Sequence, residues 1–386
     1  VSIAVIAAFA QPAFAAWDVS TIANHGNSDS PTSRILVSPT GRTFATWVTQ
    51  GSDELHWGKQ TASGWRDTIV TGANTFVACY DVSYDGVGPA ATFLPNGDAA
   101  IASACESFSG GSKTMFSELT STGWTTTKVG LGPSSSQCAT SATDVELVVS
   151  PKGKPVILTT DGCLGGIYGF FRTATGWKKK WVVKGGGCCG QFRYGAMATA
   201  IDPTNGMIAV VTNGDVYGRS SIGVEEFAWN GDPVIGSTHN FILPNGDVPY
   251  GEPSLAFAND GTAYLAFQEG TPPGTALGSA YSFLAMSTRS ASVWGTPASI
   301  DSAVQFTGGE PDLSLAGGSF HIAYYDSMNK DLRFATSPDG TTWTLSTIAS
   351  AGDSGNYPSL AITATGGVRI AFYHKSDTSL RAIVGP

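Results

Sequence analysis

Short apolar runs in which hydrophobic and polar residues alternate recur along the whole chain, each bounded by Gly, Pro, Asn, Asp or Ser. A period of two over four to eight residues predicts half-buried β-strands, and none of the runs is long enough for an amphipathic helix. The clearest unit reads Pro311-Asp-Leu-Ser-Leu, a turn, Phe320-His-Ile-Ala-Tyr-Tyr-Asp326, then Asp331-Leu-Arg-Phe-Ala-Thr336, the turn Ser337-Pro-Asp-Gly340, and a last strand from Trp343. That is a meander of four antiparallel strands, innermost to outermost, called A to D below. Seven turns of related composition each join two apolar runs: Ser38 to Gly41, Leu94 to Gly97, Ser150 to Gly153, Asp202 to Gly206, Ala258 to Gly261, Leu315 to Gly318 and Ala364 to Gly367. Their closing glycines lie 56, 56, 53, 55, 57 and 49 residues apart. Glycine suits the position because a tight hairpin needs a positive φ there. Trp17, Trp65, Trp124, Trp177, Trp229, Trp294 and Trp343 keep the same beat, mostly at the start of strand D.

A four-stranded meander of about 50 residues repeated around an axis predicts an all-β fold, a seven-bladed β-propeller of four-stranded antiparallel blades. The last unit stops after a strand C at Leu380 to Val384, whereas Trp17-Asp-Val-Ser-Thr-Ile22 reads as an isolated strand D. The N-terminal strand is therefore expected to complete the C-terminal blade, hiding two sheet edges at once. Composition fits this picture. Charged residues are 13% of the 386 and glycines number 48, which excludes a coiled coil or helix bundle, and 42% hydrophobic residues exclude disorder. A net charge of −9 with few Lys and Arg argues against a nucleic-acid partner.

Residues Val1 to Phe9 form a short apolar run followed by Ala13-Phe14-Ala15, a small-x-small site of the kind signal peptidase cuts. The reading is a signal peptide over 1–15 and a single propeller domain over 16–386, in a secreted, periplasmic or surface protein. No stretch is long and apolar enough to be a transmembrane segment. Export favours disulfides among the six cysteines. Their fifteen possible pairings are open, with Cys79 to Cys105, Cys138 to Cys163 and a vicinal Cys188–Cys189 preferred because the first two spacings nearly repeat. The absence of any CxxC or nearby histidine speaks against zinc, and no calcium loop, P-loop or dinucleotide fingerprint appears, so no metal or cofactor is expected.

The unit Pro-Ser-Leu-Ala, turn, His-Ile-Ala-Tyr-Tyr-Asp, then Asp-Leu-Arg-Phe-Ala-Thr resembles the repeat of bacterial secreted propellers related to sialidases and other Asp-box proteins. Good copies run from Pro253 to Phe267, Pro311 to Trp343 and Pro358 to Arg381. Ser337-Pro-Asp-Gly-Thr-Thr-Trp343 is similar to the Asp-box Ser-x-Asp-x-Gly-x-x-Trp but one residue short. The resemblance implies the propeller architecture, with that turn structural and on the outer rim. It does not imply sialidase activity: a sialidase clamps its substrate carboxylate with three arginines, whereas of ten arginines here only Arg193 falls naturally in a rim loop, and no Phe-Arg-Ile-Pro signature occurs.

In a propeller the D-to-A and B-to-C loops emerge on one face around the central opening. Before strand A this face receives Arg193, Tyr194, Tyr250, Glu252, Glu310 and Tyr357, and at the end of strand B it receives Trp47, Gln268, Tyr325, Asp326, Tyr373 and His374. Aromatic faces beside carboxylates and amides suit sugars, whose C–H faces stack while their hydroxyls need fixed partners. The competing reading is that tyrosines ending strand B simply pack between blades. Expected, then, is an exported lectin-like module that binds a glycan or another extracellular ligand. The alternatives are a glycoside hydrolase using two of the carboxylates Glu252, Glu310 and Asp326, since such chemistry needs a flanking pair, and a surface propeller that docks proteins. The long connections around the fifth repeat place any specialised side of the face near blades 4 to 6.

Overall fold

The computed structural model describes residues 17–24, 33–49, 54–70, 88–105, 113–131, 144–150, 152–161, 166–183, 197–216, 219–232, 239–243, 247–271, 281–290, 293–302 and 306–386. The expected leader lies outside them, as do Cys79, Cys138, Cys163, Cys188, Cys189, Arg193 and Tyr194, while Cys105 ends the strand Ala99–Cys105. Among the described residues no helix is long and apolar enough to cross a membrane.

Among the described residues twenty-nine strands, numbered β1 to β29 in chain order, form seven antiparallel sheets. Six blades are consecutive meanders whose innermost strands are β2 (Ser33–Val37), β6 (Ala90–Phe93), β10 (Val145–Val149), β14 (Met197–Ile201), β18 (Val248–Phe257) and β23 (Gly309–Ala316). Blade 5 divides its outer strand into Val293–Trp294 and Ala298–Asp301. Blade 7 is built from β27 (Ser354–Ile362), β28 (Val368–His374) and β29 (Ser379–Val384), and its outer strand is β1 (Asp18–Asn24). The pairing runs from Asp18 opposite Val384 to Asn24 opposite Ser379. The all-β seven-bladed ring, closed by the N-terminal strand, is thus the architecture the periodicity predicts.

The hairpins explain the spacing of the glycines. In blade 1 the Gly41 N–H donates to the Ser38 carbonyl at 2.8 Å and the Ser38 N–H to the Arg42 carbonyl at 2.8 Å, with Gly41 at φ 77°. This is a type I turn followed by one left-handed residue, where a Cβ would be strained. Blade 6 differs, using a two-residue turn in which Gly317 and Gly318 both have positive φ and Ala316 pairs with Ser319. In blade 7 the left-handed residue is Gly366, one position before the expected Gly367. Trp229 departs further: it sits in the turn after strand C of blade 4, and the fourth strand follows only at His239–Ile242. The Ser337–Gly340 turn is held by its side chains, because Asp339 accepts the Thr341 and Thr342 N–H groups at 2.8 and 2.7 Å. Those bonds hold its carboxyl well below the usual range.

The core lies between blades rather than within one. Leu158, Ile167 and Phe171 of blade 3 pack with Ile208, Val210 and Phe227 of blade 4, and the seam of blades 6 and 7 joins Leu332 and Phe334 to Leu360, Ile370 and Phe372. Each large side chain so buried contributes about 1.5–3 kcal/mol. With the apolar faces spent on these seams, the edges of the seven innermost strands face the central channel.

Candidate functional site

In the innermost strands of blades 5, 6 and 7 a polar residue follows a proline, and these side chains stitch neighbouring blades together. Ser254 Oγ accepts the Leu313 N–H at 2.9 Å, Asp312 Oδ2 accepts the Leu360 N–H at 2.7 Å, and Ser359 Oγ accepts the Ile35 N–H at 3.1 Å. Each bond runs from one blade to the next in the order 5, 6, 7, 1. Innermost strands have a free edge, and these acceptors satisfy amides that no sheet partner reaches. Asp144, just before β10, does the same for blade 4 by accepting the Met197 N–H at 2.7 Å, and it also accepts its neighbour Val145 N–H at 2.7 Å.

Just ahead of these stitches the innermost strands of blades 5, 6 and 7 leave the regular ladder. Register breaks between Tyr250 and Ser254, between Gly309 and Asp312, and between Asn356 and Ser359. The residues outside the ladder include Glu252, Glu310 and Tyr357, each followed by proline, which has no N–H for the ladder. Glu310 and Tyr357 adopt φ of 49° and 51°. For residues with a Cβ this costs on the order of 1–3 kcal/mol, and such strain gathers at functional positions. The Tyr357 N–H donates to Glu310 Oε2 at 2.6 Å, joining the two bulges.

The bulges open a cavity of about 290 Å³ into the channel, lined by Arg34, Glu146, Glu252, Glu310, Asp312 and Tyr357 among others. Arg34 Nη2 donates to Glu146 Oε1 at 2.9 Å, and Thr199 Oγ1 donates to Oε2 at 3.3 Å. Among the described residues four carboxyl groups therefore share the cavity with one guanidinium, and Asp144 adds a fifth behind them. Burial pushes the Glu252 carboxyl up to about 7, Arg34 counteracting and Glu310 adding to the rise. Burial likewise lifts Glu146 to about 7 against the pull of Arg34, and Asp144 to about 7 with help from the Glu252 charge. For Arg34 burial alone would lower the pKa, but Glu146, Glu252, Asp312 and Asp144 together drive it up, so it stays a cation.

Three of the rim residues singled out from the sequence, Glu252, Glu310 and Tyr357, come together in this cavity. The others that lie among the described residues are placed elsewhere. Trp47 is fully buried between blades, stacked on His56 at 5.2 Å. Tyr373 is buried, at 2% exposed. Tyr250 donates its hydroxyl to the Thr271 carbonyl at 2.5 Å, and Gln268 donates to Ser282 Oγ at 2.8 Å. Tyr325 donates to Asp353 Oδ1 at 2.8 Å. Asp326 closes its own B-to-C turn by accepting the Met328 and Asn329 N–H groups at 3.1 and 3.0 Å. His374 has Nδ1 against Asp377 at 2.5 Å and Nε2 against the Ala351 carbonyl at 2.6 Å, which fixes the ring. The sequence reading missed Arg34, Glu146 and Asp312. Their signal was a charge inside an innermost apolar strand: Ser-Arg-Ile-Leu-Val, Val-Glu-Leu-Val-Val and Pro-Asp-Leu-Ser-Leu. Among the described residues no group of three or more His, Cys, Asp or Glu side chains is arranged to hold a metal ion.

A closed seven-bladed β-propeller with an acidic cavity at its axis is the class that fold and site define. No protein-family model and no curated protein matches the sequence. Solved structures do. A protein of unknown function from Dyadobacter fermentans is similar at 10% identity and TM-score 0.56, over 97% of this chain and 99% of that one. An α-L-arabinanase of Penicillium chrysogenum, solved with arabinobiose, is similar at 15% identity and TM-score 0.53, over 79% of this chain and 92% of that one. An α-L-arabinofuranosidase of Fusarium graminearum, solved with an iminosugar inhibitor, is similar at 15% identity and TM-score 0.52, over 86% and 97%. At such identities the likeness is one of fold.

Proposed function

We propose that the protein is an exported propeller that binds carbohydrate in the axial cavity. The observation that carries this reading is the convergence, in one cavity of about 290 Å³, of acceptors held by backbone amides (Glu310, Asp312), a cationic donor (Arg34) and the Tyr357 side chain. The volume lies at the low end of the range of small-ligand sites and suits one or two sugar rings. Sugar hydroxyls both donate and accept, and this lining offers both kinds of partner. The sugar-active names among the similar propellers are consistent with it. Export and kinship with Asp-box propellers belong to the same proposal, supported by the Ala13-Phe14-Ala15 site and the Ser337–Gly340 turn.

A second reading, glycoside hydrolysis, is favoured by one observation. Glu252 is poised near neutrality beside Glu310, whose carboxylate is fixed by an amide, and two carboxyls with unlike environments are what an acid and its anionic partner require. A glycan array read beside a panel of fluorogenic glycosides tests both. Binding without turnover supports the binding module, and turnover abolished in Glu252→Gln assigns hydrolysis. Neither binding nor turnover across the panel overturns the carbohydrate reading.

A further inference from the structure

Lysine and arginine are unevenly spread along this acidic chain. Between Lys113 and Met197 they number ten against four Asp and Glu, whereas the rest of the chain holds eleven against twenty-six. That stretch runs from strand C of blade 2 through all of blade 3. Of its four acids, Asp144 and Glu146 belong to the axial site, and Asp161 ends β11 (Pro155–Asp161), at the far end of that strand from Lys154. Lys128, Lys152, Lys154, Lys178 and Lys179 are exposed. The outer surface of blades 2 and 3 is thus cationic on a protein of net charge −9.

A cavity of about 390 Å³ lies in the seam of these two blades, beside their A-to-B turns and on the face away from the bulges. Phe116 and Glu118 of β8 (Lys113–Thr120), Arg172 of β12 (Gly166–Thr173), Lys154 and Pro155 line it. The Arg172 guanidinium lies over the rings of Phe116 and Trp177, 5.9 and 5.1 Å from their centres. Those two rings pack edge to face across the seam at 5.2 Å. Stacking of this kind uses the flat face of a guanidinium and leaves its in-plane N–H groups to grip a carboxylate in pairs. Among the described residues the side chains of Arg172, Lys154 and Glu118 make no hydrogen bond or ion pair. Two cations and a carboxylate therefore share one cavity without engaging each other.

We infer that this seam is a binding surface for an acidic polysaccharide, with one uronate residue in the cavity and its carboxylate on Arg172 and Lys154. Glu118 accepts from the ring hydroxyls, which both donate and accept. Lys152 and Lys179 draw in the flanking uronates. The site lies apart from the axial cavity and does not rest on the reading given for it. A single-stranded nucleic acid fits less well. Phe116 is 2% exposed and Trp177 carries Arg172 on its ring, so neither offers the open face on which bases stack.

The test is calorimetric titration of the whole protein at low salt with short oligogalacturonates, the same oligomers fully methyl-esterified, and a single-stranded oligodeoxynucleotide of matched charge. The uronate should bind at least about tenfold tighter than the ester or the DNA, and less tightly as salt rises. Arg172→Gln should weaken uronate binding at least about tenfold and Lys154→Gln about threefold. Arg42→Gln, at an exposed arginine beside the blade 1 turn, should leave it unchanged. Lys154 is exposed, so its variant keeps the fold even if Arg172→Gln loses stability with its ring contacts, which thermal unfolding would show. No uronate binding, equal binding of the ester, or DNA bound as tightly as the uronate overturns the inference. So does an affinity unmoved in Lys154→Gln or in a folded Arg172→Gln, or an equal loss in Arg42→Gln, which marks attraction without a site. If the uronate fails while the glycan array finds a neutral ligand, this inference falls and the axial reading stands.

Discussion

Asp312 offers the sharpest test of what holds the ring together at its axis. Its Oδ2 accepts the Leu360 N–H at 2.7 Å across the seam of blades 6 and 7, and its Oδ1 lies 3.5 Å from the Ser254 hydroxyl. Asp312→Ala removes a charge-assisted bond worth about 1.5–3 kcal/mol and leaves the Leu360 amide without an acceptor. Acting against this loss, burial pushes the Asp312 carboxyl up despite the pull of Arg34, Leu360 and Ser254, so its ionised form is itself disfavoured in the ring. Removing the charge returns part of the loss, and the net expectation is a destabilisation of about 1–2 kcal/mol. With an unfolding entropy of about 2.1 cal/mol/K per residue over roughly 370 residues, that is a fall in Tm of only about 2 °C. Urea unfolding is therefore the better assay, with the midpoint shifting and the slope unchanged. Asp312→Asn keeps an acceptor and drops the charge, so it should lie within about 0.5 kcal/mol of wild type. If alanine and asparagine behave alike, the amide bond is not what matters at this position. If asparagine is as damaging as alanine at acid pH too, the reasoning about burial of the charge fails as well.

Two further outcomes follow from the same features. Because Asp144, Glu146 and Glu252 are all raised to about 7, the folded ring binds protons that the unfolded chain has released, so this contribution is full below about pH 4 and is lost as pH rises through 7. Thermal unfolding should thus show a stability lower by on the order of 2 kcal/mol at about pH 8 than at about pH 5.5, and a flat or rising profile would refute it. Asp339 and Asp377, held below the usual range, act oppositely but only below about pH 4. Starting the chain at Ala23 removes most of β1, leaves β29 with an open edge and takes Ile22, 8% exposed, out of its seam. A loss of at least about 3 kcal/mol is expected, and unchanged thermal unfolding would rule out closure by that strand.

The ring was legible because its cause is local and repeated. A glycine at the left-handed corner of a hairpin and alternation in the strands beside it are written within a dozen residues, and they recur. Blade 4 marks the limit, since Trp229 keeps the beat while sitting in a turn. The cavity was half legible. Proline after Glu252, Glu310 and Tyr357 marked where the regular ladder runs on, but the bulges ahead of it depend on pairing with Gln268, Tyr325 and Tyr373, which no local pattern reports. Arg34 and Asp312 lie far apart in sequence and act on the same cavity only because the ring closes. Trp47 and His374 show the converse: residues placed at the end of strand B can turn into the seam or a turn rather than toward the axis.

Closure through β1 also orders events in time. Strands from Ser33 to Ala349 can pair with neighbours already emerged, whereas β29 must find a partner whose residues, from Asp18 opposite Val384 onward, were made before all the other blades. The final sheet is thus the one with the longest loop to close, and until it forms an uncapped strand edge is open to other chains. For this propeller the hazardous interval during biogenesis is the one before the ring closes, and its yield should depend most on how quickly β1 and β29 meet.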